Sequence, residues 1–155
     1  MSFRNVAPGP LSGVNRSLTC VTCNSTTLGR AVFPRAQRQA ALPWSTSAPS
    51  VSGLWQALQD EGVDVVLNGH EHSYERFAPQ RDSGRATAEE GMAEFVVGTG
   101  GRDLRGFNDA KPNSEVRWND SFGVLALTLR ADGYDWSFHG TPGTPDVDAG
   151  SAPCR

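Results

Sequence analysis

His70 and His72, one residue apart, are where the residue types and spacing of this chain could do chemistry. Neutral imidazole is the commonest protein metal ligand. On an extended backbone, residues two apart project to the same side. A turn at Gly69 would instead let the two rings reach two neighbouring metal ions. Gly69 has no Cβ, so the chain can turn there and a bulky inorganic group can approach. Glu71, between the two rings, could orient one of them or hold a water nearby. A bare His-x-His is more often one buried, hydrogen-bonded ring beside one exposed ring. Here the context decides for the ligand reading.

That context is the pair of elements that must carry the histidines. Leu54 to Glu61 are mostly good helix formers, and Leu54 and Leu58 share a face at i, i+4. Ser50 or Ser52 is a suitable N-cap, and Gly62 is placed to end the helix in a left-handed conformation. Val63 to Leu67 follow at once. They are short, β-branched and nearly all apolar, which suits a central strand buried on both faces. A helix running straight into such a strand is the second half of a βαβ unit. The strand ends at Asn68-Gly69, and in open α/β sheets ligands bind outside the carboxyl ends of the strands. His70 and His72 fall there. Further on, Glu94–Gly98 and Phe122–Leu129 read as strands. Ala131-Asp132-Gly133 reads as a turn, and Tyr134–Phe138 alternate as a half-buried antiparallel strand does. Residues 79–91 and 102–120 read as loops. Gly98-Thr99-Gly100-Gly101 lacks the Lys-Ser/Thr of a phosphate-binding P-loop and reads as a strand-end turn close to the histidines.

Gly69-His70-Glu71-His72-Ser73-Tyr74-Glu75-Arg76 resembles the last metal-binding motif of the calcineurin-like metallophosphoesterases, in the form typical of the purple acid phosphatase branch. The resemblance covers about residues 50–155. It implies an α/β (α+β layered) fold: the C-terminal part of a β-sandwich flanked by helices, with a largely irregular N-terminal segment. It implies His70 and His72 as ligands of two di- or trivalent metal ions, iron, zinc or manganese, in a full-length enzyme. Two such ions roughly 3.5–4 Å apart clamp a phosphate ester and activate hydroxide for in-line attack. Gly69, Glu71, Tyr74, Glu75 and Arg76 would then support the ligands, with Glu75 and Arg76 as an ion pair fixing the loop behind them.

The chain also departs from that family. The upstream Asp-x-His or Asp-x-Asp, Gly-Asp and Gly-Asn-His-Glu motifs are absent, since no Asp or Glu precedes Asp60. Where the family carries Trp-His, this chain reads Trp44-Ser45-Thr46. The remaining histidine, His139, reads as structural or exposed. Two histidines cannot fix the coordination number of a binuclear centre. The expectation is therefore a portion of a longer phosphate-ester hydrolase that carries only the last ligand motif and turns nothing over by itself. The N-terminal half of the catalytic domain would be missing, leaving one side of the Val63–Leu67 strand uncovered and prone to aggregate.

Composition agrees with a boundary near residue 50. The 59 residues before Asp60 hold five arginines and no acid, and the whole chain has no isoleucine and one lysine. A shifted reading frame in GC-rich DNA would explain this N-terminal texture. Translation of the other upstream frames should then reveal Gly-Asn-His-Glu or Trp-His-His-Pro. The expected divisions are an irregular segment 1–50, a phosphoesterase portion 51–140 and an irregular tail 141–155. A net charge of -3 gives no argument for nucleic-acid binding. No run reaches the ~18 apolar residues of a membrane span. No export signal is legible, although full-length relatives are often secreted, so the compartment stays open. Cys20-x-x-Cys23 lacks the second pair of a zinc site, and three cysteines do not define a disulfide framework.

Overall fold

The computed structural model describes residues 19–21 and 49–155. The reading of residues 1–50 as irregular falls almost wholly outside them, as do Cys23 and the Trp44–Ser47 stretch. Among the described residues the chain forms one helix and eight strands in two sheets, so it is mostly sheet.

The helix, α1, spans Pro49–Asp60. Pro49 is preorganised for a first helical position, since its fixed φ is helical and its missing N–H is no loss there. Ser50 and Ser52 therefore lie inside the helix rather than at its cap. The helix ends at Gly62, at φ 65°. Gly62 N–H donates to the Gln59 carbonyl and Val63 N–H to the Leu58 carbonyl, each at 3.1 Å. This is a Schellman closure, and it comes with its usual apolar contact, since Val63 and Leu58 share one cluster.

The larger sheet has the order β1 (Thr19–Val21), β2 (Val65–Asn68), β4 (Met92–Val97), β3 (Tyr74–Gln80), β5 (Ser114–Trp118). β2 and β4 are parallel, and every other pair is antiparallel. The smaller sheet is a meander of β6 (Gly123–Leu129), β7 (Gly133–Gly140) and β8 (Ala149–Pro153).

Period-two alternation divides the core. Val65, Ala93, Phe95 and Tyr74 face the smaller sheet and pack with Tyr134 and Phe138. The Tyr74 and Phe138 ring centroids are 4.3 Å apart. Val66 and Met92 face the other way, against Trp55 and Leu58 of α1. The result is three layers: helix, mixed sheet, antiparallel sheet.

Several expectations are corrected. The strand before the histidines begins at Val65, not Val63. β2 is not left with an uncovered side: β1 pairs with its outer edge, and Val65 and Val66 are fully buried. Both stretches read as loops contain or border strands, because β5 lies within 102–120 and β3 runs on to Gln80. The tail is not irregular, since β8 completes the smaller sheet. Thr19–Val21, the described residues before Pro49, form β1, which carries Cys20. Cys154 is disulfide-bonded, so the odd cysteine count conceals a bridge. His139 is exposed on β7.

Candidate functional site at the carboxyl ends of two parallel strands

β2 and β4 run parallel and stop side by side, Asn68 opposite Val96. Two loops leave from that edge: residues 69–73, which carry the histidines, and residues 98–113. The loops are stitched together. Gly98 N–H donates to the Ser73 carbonyl at 2.9 Å, and Arg105 N–H donates to the His72 carbonyl at 3.0 Å. A Cβ on Gly98 would lie 1.5 Å from the Glu71 carbonyl oxygen, so only glycine lets the first loop sit down on the second. The next residue, Thr99, is fully buried and donates its hydroxyl to the Gly123 carbonyl at 2.9 Å, tying this edge to the smaller sheet.

The turn occurs one residue later than expected. His70, not Gly69, has the positive backbone angle, at φ 90°. A non-glycine residue in that region is strained, and such strain clusters at functional sites. His70 is exposed. The His72 side chain is only 12% exposed, and its Nδ1 lies 3.0 Å from Oδ1 of Asp103. The ring N–H is not squarely aimed at that oxygen. Asp103 is also approached by Arg102 Nε at 3.3 Å and Arg105 Nε at 3.6 Å. Its carboxyl is held below the ordinary range. Desolvation pushes it upward, but the hydrogen-bonding contact and charge of His72, with the charges of Arg105 and Arg102, together outweigh that. Nothing in the sequence pointed to Asp103.

The expected supporting residues divide. Glu71 contributes its carbonyl to the contact with Gly98, and Gly69 lies 3.4 Å from the Val97 carbonyl oxygen, measured to where a Cβ would be. Tyr74 and Arg76 serve the sheet interface instead. The Tyr74 hydroxyl donates to Asp148 Oδ2 at 2.6 Å, and Arg76 Nε donates to the same oxygen at 2.7 Å. Arg76 also pairs with Glu115. Glu75, one residue along, points to the opposite face of β3, where it accepts from Ser114 Oγ at 2.6 Å and lies 3.6 Å from Arg117 Nε. The Glu75–Arg76 ion pair is thus replaced by two separate networks, as alternation on a strand demands.

No protein-family model matches the chain, and no solved structure matches it. A curated relative, "Probable inactive purple acid phosphatase 1" of Arabidopsis thaliana, is 33% identical over 87 residues, covering 51% of this chain. That match supports a distant relationship to the purple acid phosphatase family. The chain spans 14% of that relative's length.

The donor chemistry suits a metal in kind, since imidazole binds zinc and iron readily. It is incomplete in number. Among the described residues no group of three or more His, Cys, Asp or Glu side chains gathers to hold an ion. The residues described do not make up a binuclear centre.

Proposed function

We propose that this chain carries the last ligand-bearing segment of a metal-dependent phosphoesterase of the purple acid phosphatase type, with His70 and His72 as metal donors, and that it does not hydrolyse phosphate esters by itself. The observation that carries this reading is the pair of histidines leaving the carboxyl end of a strand within a parallel pair, one on strained backbone and the other beside a carboxylate. The distant relationship supports it, and the relative is itself named as inactive. The remaining ligands would come from outside the described residues. The disulfide at Cys154 supports maturation in an oxidising compartment, where such bonds persist.

The test is metal analysis of the purified 155-residue chain together with p-nitrophenyl phosphate hydrolysis. The expected result is substoichiometric metal and no turnover above buffer. Two tightly bound ions with brisk hydrolysis would overturn the non-catalytic reading. Metal uptake that survives replacement of both His70 and His72 by alanine would overturn the donor assignment.

A further inference from the structure

We propose that Asp103 is the positioning residue of His72: its carboxylate takes the Nδ1 side of the ring, fixes the proton there, and leaves Nε2 as the nitrogen open to a metal ion or other electrophile. The tautomer rests on the close approach of Nδ1 to Asp103, onto which the ring N–H turns slightly, and its use toward a metal rests on the function proposed above.

Three observations converge. First, the His72 ring is largely withdrawn from water and its buried Nδ1 has no well-aimed hydrogen bond, while Asp103 Oδ1 stands 3.0 Å away, near enough to take that proton after a small turn of the ring. Second, Asp103 is half exposed, so its carboxylate loses little hydration in serving His72, and Arg102 and Arg105 flank its two oxygens at 3.3 and 3.6 Å. Third, the two loops cannot slide past each other. Arg105 N–H holds the His72 carbonyl, Gly98 N–H holds the Ser73 carbonyl, and Gly98 itself packs on the Glu71 carbonyl. The backbone on both sides of Asp103 is therefore indexed to residues 71–73. A carboxylate at one ring nitrogen selects the tautomer and makes the other nitrogen a better donor.

Nitrogen-15 NMR of the histidine rings in the full chain at pH 8 tests this without any metal. His72 is expected as the Nδ1–H tautomer, while exposed His139 shows the Nε2–H form that free imidazole favours. Asp103→Ala is expected to move His72 to the Nε2–H form. Asp103→Asn, whose amide oxygen still accepts, is expected to keep the Nδ1–H form. Backbone spectra of each variant, unchanged outside residues 69–73 and 98–106, establish that the fold is intact. The inference is overturned if wild-type His72 carries its proton on Nε2 or on both nitrogens, if Asp103→Ala leaves the tautomer unchanged, or if Asp103→Asn loses it. A separate cobalt(II) titration of His72→Ala addresses the metal reading. Unchanged binding there would remove that reading and leave the tautomer result standing.

Discussion

At the scale of single residues, the site depends on two backbone positions more than on its ionisable groups. Gly98 is the tighter constraint, because any side chain would collide with the Glu71 carbonyl. Gly98→Ala should cost about 1–3 kcal/mol or more, as overpacking does. Urea denaturation would measure the loss, and amide shifts confined to residues 69–73 would locate it. His70 makes the opposite point. At φ 90° a side chain is a burden that glycine does not carry. His70→Gly should be more stable than His70→Ala by about 1 kcal/mol, the low end of the range for strained backbone. Equal urea midpoints for the two variants would show that the position is not strained. If the ordering holds, a histidine is kept there at a cost in stability, as expected of a residue retained for its ring.

At the scale of elements, Asp148 joins the two sheets. It stands just ahead of β8 and accepts from Tyr74 Oη, from Arg76 Nε and Nη2, and from Trp136 Nε1 at 3.2 Å. The Arg76 guanidinium also lies over the Trp136 ring, 5.1 Å from its centroid. The Asp148 side chain is only 6% exposed. Removing Asp148 leaves Arg76 with Glu115 alone and orphans the Tyr74 hydroxyl and the Trp136 N–H, and breaking such a buried pair costs about 3–5 kcal/mol. Asp148→Ala should therefore lower stability by that amount and loosen β8, raising amide exchange at 149–153. A loss below about 1 kcal/mol would show that the network is incidental. The helix is a simpler case. Gly62→Ala forces a Cβ into the left-handed region and should cost about 1–2 kcal/mol, the penalty for that conformation.

At the scale of the whole molecule, both tyrosines lie between the sheets, and they report together on whether the sandwich is closed. Burial first, and the charge of Asp64 second, push the Tyr134 hydroxyl up to about 12, against a partial offset from Arg76 and Arg155. Burial, then the bond and charge of Asp148, push Tyr74 upward too. An ordinary tyrosine ionises near pH 10. Above that pH the unfolded chain loses phenolic protons that the folded chain keeps. Their contribution to stability is thus full below about pH 10 and is lost as pH rises toward 12. Tyrosinate absorbance at 295 nm should stay absent in the folded protein up to about pH 11 and then appear together with unfolding. Ionisation near pH 10 with the fold intact would mean that the two sheets are not closed on each other.

Some of this was legible in the sequence because it depends on neighbours along the chain. The Schellman glycine at 62, the helix on Leu54 and Leu58, and the apolar strand ending at Asn68-Gly69 are local signals, and the structure has each, with the helix starting five residues before Leu54 and the strand two residues after Val63. The histidine spacing and the Tyr-Glu-Arg that follows carried the resemblance to a family for the same reason. What tertiary structure alone decided concerns partners far apart in sequence. β5 is too polar and β8 too rich in small residues to read as strands, and they form because β3 and β7 offer them an edge to pair with. Tyr74 and Arg76 serve the sheet interface because strand alternation turns them toward Asp148, more than seventy residues away. Asp103 meets His72 because two strands end side by side and Gly98 lets their loops touch. A sequence fixes which residues can bond, and packing fixes which of them meet.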